Sequence, residues 1–242
     1  MSDPIFRFKQ FRISHGANGL RVTTEACLFG SVVCRHFSKR SDHFNALDIG
    51  TGSGLLGLMV AQCCSQACVD AVELQAEAAR QAIKNVEESP WSDRVCVHHM
   101  PVGSFQNELA GYDLIISNPP FYHRHLQSPD NPGRTLAMHT VSLGYKELAR
   151  TVDRLLKDSG SFFVLYPPGP MQDFGVCMED IGLYPVRSWQ FLQRPGASPW
   201  RIVAEFRYEK ATSAPMDIII HKSEGGYHNQ FIDYTRSFYL KF

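Results

Sequence analysis

From Asn45 to Pro167 the chain alternates short apolar runs with longer amphipathic ones, and this alternation leaves few folds open. "NALDIG" (45–50), "VDAVEL" (69–74), "RVCVHH" (94–99), "YDLIIS" (112–117) and "SFFVLYP" (161–167) read as strands. "GLLGLMVAQCC" (54–64), "AEAARQAIKNVEES" (76–89) and Tyr145–Lys157 read as helices, the second stopping before Pro90 and the third before Gly160. A helix between two strands returns the chain to the same edge, so such strands pair in parallel. The expected class is α/β, a doubly wound and mostly parallel sheet with helices on both faces. In such a sheet ligands bind where strands end at their carboxyl edge.

The flanks complete the pattern. "IFRFKQFRIS" (Ile5–Ser14) alternates apolar and basic residues, as a strand with one buried face does. "HGANG" (15–19) is a turn, and Thr23–Phe37 reads as a helix capped by Thr23 or Thr24. Residues 118–140 hold four prolines and few periodic apolar residues, so a long loop is expected. A helix near 170–181, strands at 187–193, 201–209 and 217–221, and a helix over 229–240 close the chain. The 242 residues suit one domain, read over 1–242. No repeat is visible, no signal peptide is expected in the first 20 residues, and "LLGLMVA" is too short to span a membrane. Seven cysteines without a C-x-x-C pair give neither a zinc motif nor an even disulfide set, so buried free thiols are expected.

Net charge is zero but uneven. Residues 1–40 carry seven Lys/Arg against two Asp/Glu, whereas 41–113 carry three against ten. A basic segment of this kind is either a nucleic-acid patch or ordinary solvated surface, and charge alone leaves the two even.

Two motifs lie at carboxyl ends of strands. "LDIGTGSG" places Asp48, Gly50, Gly52 and Gly54 in the pattern D-x-G-x-G-x-G. Glycines let backbone turn tightly and let a ligand approach, and the next helix offers free N–H groups. Gly52, Gly54 and Gly57 also fit G-x-G-x-x-G, which keeps NAD among the ligands. Glu73 ends the next strand, 19 residues beyond Gly54, where an acid accepts both hydrogen bonds of a ribose diol. That serves NAD or S-adenosylmethionine equally.

The second motif is "SNPPF" (117–121). Two prolines remove two backbone donors and stiffen the chain, holding one amide beside one aromatic ring. If the ligand carries a reactive methylsulfonium, the bracket has a purpose. An exocyclic amine is a poor nucleophile because its lone pair is delocalised into the ring. The Asn118 side-chain oxygen and the Pro119 carbonyl would accept its two N–H groups and favour sp³ nitrogen. Phe121 would stack on the base, and Pro120 helps keep these elements fixed.

The pair "DIGTGSG" then "SNPPF" resembles Rossmann-like S-adenosylmethionine-dependent methyltransferases acting on planar amino or amide nitrogens. With "FRFKQF", "RVTTEACLFG" and the closing "YTRSFYLKF", the whole chain resembles the bacterial tRNA adenine-N6 methyltransferases that modify the adenosine beside the anticodon (position 37) of a valine tRNA. The resemblance implies a seven-stranded class I methyltransferase sheet, with residues 1–40 as a basic extension packed on the core. It implies S-adenosylmethionine as cofactor, enclosed by Thr24 and Glu25, looped by Asp48, Gly50, Thr51, Gly52 and Gly54, and bound through the ribose by Glu73 and its neighbour Leu74. Asn118, Pro119, Pro120 and Phe121 would hold the target adenine. Such enzymes often carry an acid after the strand that ends at His99; here Met100, Pro101 or a backbone amide serves instead.

A stacked base must be flipped out to reach the pocket. Arg7, Lys9 and Arg12, with Arg124 and Arg134 after the bracket, are the candidate phosphate contacts. The expected partner is tRNA, with no metal and no membrane, for a monomeric cytoplasmic enzyme. "HRH" (123–125) lacks a third ligand, and His98 and His99 point to opposite faces of a strand. Trp189 and Trp200 read as core. Competing readings are guanine-N2 of ribosomal RNA, adenine in DNA or a glutamine amide as acceptor, an NAD-dependent oxidoreductase, and a non-catalytic RNA-binding module.

Overall fold

The computed structural model describes residues 5–15, 21–106, 111–120, 144–211 and 213–242. Most of the expected turn at 15–19, and the loop after Pro120, lie outside the described residues.

Ten strands are described. They are β1 (Ile5–Arg7), β2 (Arg12–Ser14), β3 (Phe44–Ile49), β4 (Ala67–Glu73), β5 (Val95–His99), β6 (Tyr112–Ser117), β7 (Leu156–Tyr166), β8 (Tyr184–Leu192), β9 (Arg201–Arg207) and β10 (Met216–Ile219). The helices are α1 (Thr24–Phe37), α2 (Leu55–Cys63), α3 (Ala76–Glu87), α4 (Tyr145–Leu155), α5 (Pro168–Glu179) and α6 (Asn229–Thr235). The main sheet runs β10-β8-β9-β7-β6-β3-β4-β5, and β9 is its antiparallel member, between β7 and β8. It has eight strands rather than the expected seven, because Met216–Ile219 adds in parallel to β8.

The inner strands are apolar on both faces, and the pleat sorts their residues into two cores. Ala46, Leu114, Ile116, Phe163 and Leu165 pack with α1, α2 and the chain's last aromatics. Leu47, Ile49, Ile115, Phe162 and Val164 pack with α4 and α5. Helices therefore cover both faces, as the alternation requires.

Two expectations change. Ile5–Ser14 is a hairpin of β1 and β2, not one strand: Phe8 N–H donates to Phe11 O at 2.9 Å and both rings are buried, stacked 4.4 Å apart. One extended strand would place residues 8 and 11 on opposite faces; the turn puts both inward. The last helix stops at Thr235, not Leu240, which frees Phe238 to reach the core and its carbonyl to accept from Lys9 N–H at 2.8 Å. All seven cysteines are free, and burial pushes the Cys27 thiol up to about 12.

Candidate active site

The parallel sheet reverses its strand order between β3 and β6, and ligands of such sheets bind at this crevice. Here the register matters most. Ile49 pairs with Ser117, so the two strands end level. Ser117 Oγ donates to Ile49 O at 2.9 Å and ties the ends together. The glycine loop and the proline bracket therefore leave one edge side by side.

The loop needs its glycines for conformation. Gly50, Gly52 and Gly54 have φ of 69°, 60° and 84°, in the left-handed region. Gly50 and Thr51 N–H both donate to Val72 O, at 2.8 and 3.1 Å, which folds the loop over β4. Asp48 is fully buried beneath it. Its Oδ2 accepts from Thr51 Oγ1 at 2.6 Å and from Gly57 N–H at 3.0 Å, while Oδ1 has no partner among the described residues. Burial pushes this carboxyl up to about 7; the Thr51 and Gly57 hydrogen bonds pull it down, and the charge of Glu73 adds to the rise.

Glu73, at the end of β4, closes the loop from the other side. It accepts from Gly52 N–H at 2.9 Å and Gln75 N–H at 2.8 Å and is nearly buried. Met100 N–H donates to Glu73 O at 3.0 Å, so the segment after β5 lies beside it. Leu74 is exposed, Met100 is half-buried and Pro101 is exposed. These three follow the ends of β4 and β5.

Of the bracket, Asn118 is half-buried, Pro119 buried and Pro120 exposed; Phe121 lies outside the described residues, as do Arg124, Arg134, His123 and His125. Thr24 and Glu25 open α1 on another part of the same edge. Thr23 caps that helix by accepting from Ala26 N–H, and Glu25 pairs with Arg201 at 3.1 Å. Their described hydrogen bonds do not join them to the glycine loop. Arg7 is exposed. Lys9 and Arg12 are exposed too, but Lys9 Nζ donates to Arg236 O at 2.6 Å and Arg12 pairs with Glu88 at 3.1 Å. Trp189 is core as expected, while Trp200 is only partly buried at the head of β9. Asp70, Cys96 and His98 lie close together on β4 and β5, with the Asp70 oxygens held by His98 Nε2 and Tyr112 OH, each at 2.7 Å.

One residue of the site escaped the sequence reading. Asn85 on α3 is 1% exposed. Its amide donates to Ser53 O at 2.8 Å and Ser14 O at 3.1 Å, and its oxygen accepts from Ser14 N–H at 3.0 Å. It locks the glycine loop to the N-terminal hairpin. The signal was available: Ala79, Ala82 and Val86 mark the buried face of α3, and an Asn on that face must find partners.

The Methyltransferase small domain family matches residues 29–142. In solved structures the fold is similar to a protein described as a predicted O-methyltransferase from Agrobacterium tumefaciens, with TM-score 0.64 at 17% identity over 88% of this chain and 95% of that one. It is also similar to the human methyltransferase 10 domain containing protein, with TM-score 0.57 at 18% identity over 82% and 90%. Among curated relatives, a tRNA1(Val) (adenine(37)-N6)-methyltransferase of Bacteroides fragilis is 37% identical over 100% of both chains. A protein of the same name from Aeromonas hydrophila is 35% identical over 98% of this chain and 97% of its own. With such identity along its full length, and with the glycine loop and bracket on one edge, this chain belongs to the tRNA1(Val) (adenine(37)-N6)-methyltransferase family.

Proposed function

We propose that this protein methylates the N6 amino group of adenine 37 in a valine tRNA, using S-adenosylmethionine. The observation that carries the reading is the level ending of β3 and β6, which sets a cofactor loop against a rigid amide bracket. The residues present fit the cofactor. Glu73, pinned by two backbone N–H groups, keeps lone pairs for a ribose diol. Leu74, Met100 and Pro101 offer a flat apolar wall to an adenine, in place of the acid common in the family. Asp48 and Thr51 brace the loop, Gly50, Gly52 and Gly54 allow close approach, and Thr24 and Glu25 close the far side. When bound, S-adenosylmethionine supplies an electrophilic methyl group on sulfur.

The chain's own residues then prepare the nucleophile. The Asn118 side-chain oxygen and Pro119 carbonyl accept the two N–H groups of the flipped adenine, drawing its lone pair out of conjugation. Pro119 and Pro120 hold those acceptors still before the base arrives. Phe121 stacks on the base. After transfer the amine's extra proton leaves to water, so no strong base is needed. Of the three N-terminal candidates Arg7 alone has no partner among the described residues; with Lys9, Arg12, Arg124 and Arg134 it would meet phosphates. The same reading takes residues 1–242 as one monomeric methyltransferase unit working in the cytoplasm, residues 1–40 being packed on its core.

The test is methyl transfer from labelled S-adenosylmethionine to tRNA lacking this modification, followed by digestion to nucleosides. Label in N6-methyladenosine, mapped to position 37 of valine tRNA, is expected. Label on guanosine, or on a protein glutamine, would overturn the acceptor while keeping the bracket chemistry.

A further inference from the structure

Beyond the bracket, the carboxyl edge of the sheet holds a cavity of about 250 Å³, with Thr23, Thr24, Gln193, Trp200 and His221 among its lining residues. It opens where β8 ends, β9 begins and α1 starts. We infer that this cavity binds a second unpaired base of the RNA, the immediate neighbour of the target adenine; the inference rests on the function proposed above.

Position argues first. Ser117 pairs with Val164 on β7, and Tyr166 on β7 pairs with Ile202 on β9. The head of β9 therefore stands two strands from Asn118, about 10 Å sideways at 4.8 Å per strand, and Trp200 stands three residues, about 10 Å, further out along the strand direction. That is too far for the amine being methylated, and within reach of the next nucleotide of an opened strand. Chemistry argues second. Trp200 Nε1 is buried and has no acceptor among the described residues. A buried donor left so is costly, and a base edge carries ring-nitrogen and carbonyl acceptors that would satisfy it. The indole is also held ready. The Arg201 guanidinium sits 4.6 Å from the ring centroid, Arg201 donates to Trp200 O at 2.9 Å, and Glu25 pairs with Arg201 at 3.1 Å. Because Glu25 and Arg201 cancel, the cavity favours a neutral polar ligand over a phosphate. Gln193 adds an exposed hydrogen-bonding group, as reading a base edge requires.

The experiment compares wild type, Trp200→Phe and Trp200→Ala on full-length valine tRNA, intact or carrying an abasic residue just 5′ or just 3′ of the target. Trp200→Phe keeps the ring and removes the N–H. It should raise the RNA KM about five- to tenfold, the worth of one hydrogen bond, with kcat within about twofold. Trp200→Ala should raise KM by about ten- to a hundredfold. For wild type, one of the two abasic RNAs should lose as much as Trp200→Phe does, and the variant should lose little more on that RNA. S-adenosylmethionine affinity and melting temperature should match wild type. Unchanged KM in both variants, or fully additive losses with the abasic RNAs, would overturn the inference. So would weakened cofactor binding by Trp200→Phe, which would give the cavity to the cofactor instead. Failure of wild type to methylate intact tRNA would instead strike the underlying function, and this inference with it.

Discussion

Three side chains shape the proposed site, one through chemistry and two through structure. Asn118 does its work with one oxygen held by two prolines. Asn118→Ala should cut kcat about a hundred- to a thousandfold, the scale of losing one preorganised acceptor, and leave cofactor affinity within a few fold. Single-turnover transfer alongside equilibrium binding measures both, and undiminished turnover would end the bracket mechanism. Asp48 is a different case, since burial keeps its proton on up to a pH of about 7. The folded state then holds a proton the unfolded chain has released, so stability contributed by this group falls as pH rises from about 4 to about 7 and levels off above. Asp48→Asn keeps an acceptor for Thr51 and Gly57 and should flatten that slope in melts taken across pH. Asn85 is structural. Asn85→Ala strands the Ser14 N–H and two carbonyls in the interior, and should cost about 2–4 kcal/mol in denaturant melts while weakening the cofactor loop.

At the scale of elements, the loop is the clearest case of backbone conformation deciding function. A Cβ at Gly50 would meet nothing within 4 Å, yet φ is +69°. Gly50→Ala should therefore fold with a penalty of about 1–2 kcal/mol, all of it conformational, and bind cofactor more weakly. Thermal melts and isothermal titration would separate the two effects. Elements that are short apolar runs or have period-3.6 patterning were legible from sequence: β3, β4, β6, α3 and α4 fall within a few residues of their expected bounds. The loop glycines, Glu73 and the bracket stand out in the sequence because such residue types are unusual at strand ends, and their roles belong to the function proposed above. What was not legible depended on long-range partners. Phe8 and Phe11 bend the N-terminal strand because Trp91 and Tyr239 offer a place to bury them. Lys9 and Arg12 read as free cations until the chain supplies Arg236 O and Glu88. Asn85 stands out only once α3 shows its buried face.

Across the whole molecule, the antiparallel end of the sheet is joined to α1 through a buried charge. Glu205 on β9 is fully buried; it accepts from Ser161 Oγ at 2.9 Å, with Arg187 at 3.4 Å and His36 at 3.6 Å. Burial lowers the His36 pKa, the nearby Glu205 works against that, and Arg187 and Arg207 add to the lowering. A base depressed in the fold is neutral there while the unfolded chain still binds a proton. Stability from this group is therefore present above the ordinary histidine range, about 6.5, and lost as pH falls below it. This group pulls the melting temperature down on acidification through that range, against the opposite contribution of Asp48, so wild type minus His36→Gln should fall as pH drops; parallel pH profiles would clear His36 of the effect. Truncating Glu205 to Ala strands the buried Ser161 hydroxyl and should cost about 1–3 kcal/mol, read from chemical denaturation.

The hairpin at the start of the chain has a consequence in time as well as space. It is seated by Asn85 through Ser14 and by Phe238 through Lys9, so residues near both ends share one clasp. During synthesis the hairpin waits for a partner made far later along the chain. Until Tyr239 clears the exit, the aromatic face of Phe8 lacks the ring it packs against, and a chaperone that holds apolar segments has its longest opportunity there. A tag or truncation at the carboxyl end would thus be felt first at the amino end, at the segment that Asn85 ties to the cofactor loop.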